Sequence, residues 1–135
     1  ELQAVDSCQP DDVIICAAGG STRSAVWGEL LSTAAKNRGC VGVIIDGAVR
    51  DVVKIKELDF PCFAVATSVY DSLHRQRVID LDVPIEFGGV GCSPGDLVII
   101  VSYAEFAPEE VARHQPTIVL LDGRNRKRAT DEPTA

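Results

Sequence analysis

The chain has 135 residues, a formal net charge of −7, and 46% apolar against only 5% aromatic residues, the dimensions of one domain with an aliphatic core. That charge argues against a general affinity for nucleic acid or anionic membrane surfaces, and no apolar run approaches the roughly 20 residues needed to cross a bilayer. No basic-then-apolar leader is present, so the chain reads as soluble and cytoplasmic.

In chain order, residues 13–17 form a short continuous apolar run and predict a buried strand. A polar loop, Ala18-Gly19-Gly20-Ser21-Thr22-Arg23, follows it. From Ser24 or Gly28 to Arg38, Leu30, Leu31, Ala34 and Ala35 recur at helical spacing, and Gly39 supplies the stop. Residues 41–46 predict a second buried strand, so this strand–helix–strand order suggests a right-handed parallel crossover. Residues 51–58 predict a short amphipathic helix with Asp51 in its first turn, favourable to the helix dipole. A third strand is expected at 61–66, its proline at the start.

Residues 67–80 are polar and irregular. A strand at 83–87 runs into the Gly88-Gly89-Val90-Gly91 turn, and Pro94-Gly95-Asp96 turns into another apolar strand at 97–101. Pro108 with Glu109 and Glu110 predicts a helix start, residues 117–121 look strand-like, and 122–135 read as a disordered polar tail.

The chemistry concentrates between Gly28 and Asp51. A helix starting at Gly28 presents backbone N–H groups with no internal partners, a setting that binds carboxylates and phosphates. Twenty residues beyond Glu29, the second strand delivers Arg50 and Asp51 side by side, where α/β proteins usually bind ligands. Arg50 offers a planar fork for a pair of oxygens, and Asp51 a hard ligand for a cation. By spacing alone, Asp46, Arg50 and Asp51 serve equally well as a structural ion pair at a helix start.

Other motifs are weaker. Gly19-Gly20-Ser21-Thr22-Arg23 lacks both the Gly-Lys-Ser/Thr ending of a P-loop and the GxGxxG spacing, and reads as a tight turn. Ser24 has no nucleophile-elbow context. The basic run Arg124, Arg126, Lys127 and Arg128 reads as a solvated tail. Five scattered cysteines with no CxxC read as reduced buried thiols, and two distant histidines argue against zinc. Any metal is then an oxygen-held one such as magnesium, manganese or calcium.

Taken together, Trp27-Gly28-Glu29-Leu30-Leu31, the run from Gly42 through Ile44-Ile45-Asp46-Gly47-Ala48-Val49-Arg50-Asp51, Phe60-Pro61-Cys62-Phe63-Ala64, Val83-Pro84-Ile85-Glu86-Phe87-Gly88-Gly89-Val90 and Pro94-Gly95-Asp96 resemble one family. It holds the 4-hydroxy-4-methyl-2-oxoglutarate and 4-carboxy-4-hydroxy-2-oxoadipate aldolases together with the regulator of ribonuclease activity A.

The resemblance covers residues 1–113, with 114–135 a divergent tail. It implies an α/β swivelling β/β/α sandwich that assembles as a homotrimer or hexamer with sites between subunits. It further implies a carbon–carbon lyase acting on a small oxo acid, with oxaloacetate decarboxylation as a side activity and a magnesium or manganese ion as cofactor. Backbone amides of Gly28, Glu29, Leu30 and Leu31 then hold the substrate carboxylate. Arg50 contacts the oxo-acid oxygens, Asp51 anchors the metal, and Glu29 orients a water or relays a proton. The alternative reading is a non-catalytic regulator that binds a ribonuclease or helicase, or an inactive relative.

The chain departs from the family pattern in three places. A segment that would precede Glu1 is absent, an Ala-Asp-x-Asp-Gly turn after Pro94-Gly95-Asp96 is missing between Ile99 and Ile100, and residues 115–135 do not resemble the family's C-terminal helix.

Overall fold

A computed structural model describes residues 1–98 and Arg113. Residues Glu1–Leu97 form one compact unit, and Val98–Ala135 a second. The strand expected at 97–101, the helix after Pro108, the strand at 117–121 and the polar tail fall almost wholly outside the described residues.

Helix α1 (Leu2–Ser7) opens the first unit and is held by Val5, which is buried in the core. The sequence reading assigned no element there. Strand β1 (Val13–Trp27), helix α2 (Glu29–Asn37), strand β2 (Gly42–Val49), helix α3 (Val52–Glu57) and strand β3 (Cys62–Thr67) follow. The three strands pair in parallel in the order β1-β2-β3, as strands joined by crossover helices do. A separate antiparallel hairpin joins β4 (Ile85–Phe87) to β5 (Val90–Cys92). Just after it, Asp96 N–H donates to the Ser93 carbonyl at 3.1 Å and closes the expected proline–glycine turn.

β1 corrects the sequence reading. The loop expected at 18–23 is absorbed into the strand, whose 15 residues accompany only 8 in β2. The surplus is taken up by register slips between Ala17 and Ser21, Ser21 and Ala25, and Ala25 and Trp27. Bulges of this kind use residues in the left-handed region, and Gly19 and Gly20 have φ of 62° and 69°. Because Ser24–Trp27 continue the strand, α2 starts only after Gly28 rather than at Ser24. β2 likewise runs on to Val49, three residues past its expected end at Asp46.

The core lies between the sheet and its two crossover helices. Val5, Trp27, Ala35, Cys40, Val43, Ile45, Val49, Ile55 and Phe60 form one buried cluster. It is aliphatic apart from Trp27 and Phe60, as the composition requires. On β3, Phe63 and Val65 stay 45% and 62% exposed, so this edge of the sheet is only lightly covered.

Candidate active site

The three parallel strands end side by side, and hydrogen bonds fix the residues that follow each of them. Arg50 N–H donates to the Trp27 carbonyl at 3.0 Å, and Ser68 N–H donates to the Val49 carbonyl at 3.0 Å. Gly28, Arg50 and Ser68 are thereby aligned at the carboxyl edge of the sheet, the usual ligand-binding edge of such folds.

The start of α2 is locked by buried side chains. Ser32 N–H and Ser32 Oγ both donate to the Gly28 carbonyl, at 3.1 and 3.0 Å, and Trp27 Nε1 donates to Ser32 Oγ at 2.8 Å. Trp27 is 4% exposed and Ser32 fully buried, so this relay holds the first turn of the helix rigid. Gly28 itself is in extended backbone with φ −160°, which any residue adopts. Its missing side chain matters for a different reason: a Cβ there falls 2.8 Å from Asp51 Oδ2 and 3.0–3.1 Å from Cγ and Nε of Arg50. Only glycine lets the Arg-Asp pair lie against the helix start.

Asp51 ends the β2 crossover in the left-handed region at φ 56° and leads into α3. Its Oδ2 accepts from Glu29 N–H at 3.3 Å and lies 3.5 Å from Arg50 Nε. Both side chains are about two-fifths exposed. The pairing commits only Nε of Arg50. Among the described residues its two terminal nitrogens have no partner, nor has Asp51 Oδ1. The N–H groups of Leu30 and Leu31, inside the first turn, have no helical acceptor either, because the first helical bond is made by Ser32.

Gly28, Leu30, Leu31, Arg50 and Trp27 line one hollow of about 50 Å³ with Ala25, Val26, Glu1, Asp71 and Ser72. That is far below the roughly 300 Å³ at which enclosed small-molecule sites begin. Of the expected site residues, Glu29 and Asp51 stand outside this lining. The Glu29 side chain accepts from Thr33 Oγ1 at 3.2 Å, one turn along the helix, and Asp51 Oδ2 lies 3.5 Å from Arg50 Nε.

Sequence reasoning missed Asp71 and Ser72, which sit in the stretch read only as irregular. Nothing periodic marks them. They are brought to the hollow by a loop tied to β1, with Ala25 N–H donating to the Tyr70 carbonyl at 2.7 Å and Ser24 Oγ to Gln76 Oε1 at 3.0 Å.

Among the described residues no group of three or more His, Cys, Asp or Glu could hold a metal ion. A closed protein cage for zinc or calcium is therefore missing from them. A single carboxylate with a free oxygen fits a different habit: magnesium keeps most of its waters and takes one or two carboxylates plus the substrate. The five cysteines are free thiols. Burial, then the neighbouring Cys8 thiol, pushes Cys40 up to about 12, and burial raises Cys16 and Cys62 as well.

The described unit is thus an α/β unit with an arginine–aspartate pair at the carboxyl edge of a parallel sheet, packed on a helix start. A family model described as RraA-like (Aldolase/RraA) matches residues 1–100, and the chain belongs to that family. A protein of Halalkalibacterium halodurans named "Putative 4-hydroxy-4-methyl-2-oxoglutarate aldolase" is 37% identical over 73% of this chain and 46% of its own length. One of the same name in Azotobacter vinelandii is 35% identical over 68% of this chain and 56% of its own. The chain thus spans about half the length of the curated relatives it matches.

Among solved structures, the RNA-processing inhibitor RraA from Thermus thermophilis superposes with a TM-score of 0.63 at 30% identity, over 69% of this chain and 56% of that one. RraAS2 of Streptomyces coelicolor, described as an unusual member of the RNase ES inhibitor RraA family, gives 0.64 at 31%, over 68% and 47%. The fold is the RraA-like α/β fold, and the family carries both aldolase and inhibitor names. A second family model, described as aspartate decarboxylase, matches residues 88–128. That stretch takes in the junction without the expected turn and most of the divergent tail.

Proposed function

We propose that the chain is a divalent-metal-dependent carbon–carbon lyase that cleaves 4-hydroxy-4-methyl-2-oxoglutarate to two molecules of pyruvate and decarboxylates oxaloacetate as a side reaction. The observation that carries this reading is the partial commitment of Arg50. Asp51 holds its Nε, while both terminal nitrogens stay open in a hollow floored by the start of α2. A purely structural ion pair would direct the charged fork at its partner. Here the contact with Asp51 is made through Nε alone, at 3.5 Å, and the two terminal nitrogens have no partner among the described residues.

The substrate has a carboxylate beside a keto oxygen, two anion-like acceptors in one plane. The free N–H groups of Leu30 and Leu31, at the positive end of the α2 dipole, suit the carboxylate. The terminal nitrogens of Arg50 suit the planar oxygen pair and balance the charge that grows on the keto oxygen as the bond breaks. Asp51 Oδ1 is the atom that would hold magnesium or manganese, and a bound ion of that kind supplies Lewis acidity toward the keto acid. In this reading the Glu29 side chain, which accepts from Thr33 Oγ1, turns back toward Asp51 to orient a water or relay a proton.

The shallow hollow supports assembly as a trimer or hexamer, in which a neighbouring subunit completes the site. The RraA names among the solved structures favour a second reading, a non-catalytic regulator with the same fold. Oxaloacetate decarboxylation followed with and without EDTA separates the two. Turnover that the chelator abolishes and magnesium or manganese restores supports the lyase; no turnover with either metal overturns it.

A further inference from the structure

The geometry points to Asp71 as the base that removes the proton from the substrate's 4-hydroxyl group, with Ser72 beside it, in a wall that decides between aldol cleavage and simple decarboxylation. This rests on the lyase reading above and assigns the half of the hollow that Arg50 and α2 leave unused. Asp71 and Ser72 share the hollow with Arg50, Leu30 and Leu31 but belong to a different segment, the loop after β3.

That loop is irregular yet fastened at both ends to buried parts of β1. Ala25 N–H donates to the Tyr70 carbonyl at 2.7 Å, and Ser24 Oγ donates to Gln76 Oε1 at 3.0 Å. Ser24 and Ala25 are 1% and 3% exposed, so the anchors are as fixed as the sheet. Between them, the N–H groups of Arg75 and Gln76 both donate to the Ser72 carbonyl at 2.9 Å. The Arg75 guanidinium lies over the Tyr70 ring, 5.3 Å from its centroid, and Arg75 Nη1 donates to Asp71 Oδ1 at 3.0 Å. Asp71 is therefore held by one oxygen, while its Oδ2 has no partner among the described residues. A positioned carboxylate with one free oxygen on the wall of an oxo-acid site is what a general base requires.

The chemistry of the two substrates makes the assignment testable. In 4-hydroxy-4-methyl-2-oxoglutarate the base takes the 4-hydroxyl proton and the O–H electron pair becomes the new C4 carbonyl. The C3–C4 bond breaks, and its electrons form the enolate of the C1–C3 pyruvate. Protonation at C3 then completes two pyruvates. In oxaloacetate the C3–C4 bond breaks with C4 leaving as carbon dioxide, the same enolate forms, and no hydroxyl proton is removed. Only the first reaction needs the base. The hollow's other carboxylate outside the Arg50 side is Glu1, at the start of the short helix α1, and it serves as the control.

The test compares the magnesium-loaded wild type with Asp71→Asn and Glu1→Gln on both substrates and measures pyruvate binding to each by calorimetry. Asp71→Asn should lower kcat for the 4-hydroxy acid by about 100-fold or more, the usual effect of a lost general base. The ratio of aldol to decarboxylase turnover should fall by at least about 30-fold, with pyruvate affinity shifted less than about threefold. Asp71→Asn lowering both reactions equally, or neither, overturns the proposal, as does a ratio change in Glu1→Gln in place of Asp71→Asn. Gln76→Ala, which frees one anchor, should move the ratio in the same direction by a smaller factor; an unchanged ratio would show that the loop's position is immaterial. A wild type inactive on both substrates instead removes the lyase reading itself, whereas a wild type active on both with an indifferent Asp71 removes only this assignment.

Discussion

Arg50 and Gly28 are the positions where single atoms decide the site. Arg50→Lys keeps the charge but replaces a planar fork by a point donor, so it cannot meet Asp51 through one nitrogen and grip two oxygens with the others. Turnover should fall by about 100-fold, the scale of losing one preorganised donor. The side chain is 40% exposed, so the melting temperature should move by only a few degrees in a thermal scan. If the variant unfolds while its folded fraction turns over normally, the residue is structural.

Gly28→Ala probes the same contact from the other side. The new methyl meets Asp51 Oδ2 at 2.8 Å and must push the Arg-Asp pair outward, yet the extended backbone at Gly28 accepts alanine without strain. The expected outcome is a large loss in kcat/KM with a nearly unchanged melting curve.

At the scale of elements, Ser32 ties the end of β1 to the start of α2. Ser32→Ala leaves Trp27 Nε1 buried without its acceptor, at a cost of about 1–3 kcal/mol. Urea titration should show the midpoint falling with an unchanged slope. Much of this architecture was legible in the sequence, because apolar runs and helical spacing report burial directly. The helix bounded by Gly28 and Arg38 and the β4–β5 turn appear where the pattern put them, and the strand delivering Arg50 and Asp51 does so apart from its three extra residues.

The course of β1 through Ser21 and Arg23 was not legible, because a bulged strand alternates irregularly and carries the glycines of a loop. Nor was the arrival of Asp71 at the hollow. A backbone bond from Ala25 to Tyr70, 45 residues apart in the numbering, helps to place it there, and backbone bonds leave no mark on residue identity. The backbone-level half of the candidate site was therefore readable, and the loop wall was not.

For the molecule as a whole, the buried thiols set an alkaline limit. Burial pushes the Cys40 thiol from its ordinary 9.0 up to about 12, so between those values the folded chain keeps a proton that the unfolded chain has lost. Raising the pH through this window therefore favours unfolding, whereas below about 9 the contribution is fully present. Cys16 and Cys62 act in the same direction. The melting temperature should drop as the pH rises from about 9 toward 12, and Cys40→Ala, though less stable at pH 7, should show a shallower drop. Parallel slopes for the two proteins would exclude Cys40 as a source of the alkaline sensitivity.

The left-handed backbone at Asp51 sets fold stability against activity. A side chain at φ 56° costs on the order of 1 kcal/mol that glycine avoids, yet a carboxylate at this point is what the proposed chemistry uses. Asp51→Gly and Asp51→Ala both delete the carboxylate, so their difference isolates the backbone. The glycine variant should melt several degrees above the alanine variant while both are equally inactive. An ordering of that kind would mean that the chain tolerates a less comfortable fold at this residue to keep an oxygen beside Arg50, and that stabilising substitutions sought without an activity screen would select against the site.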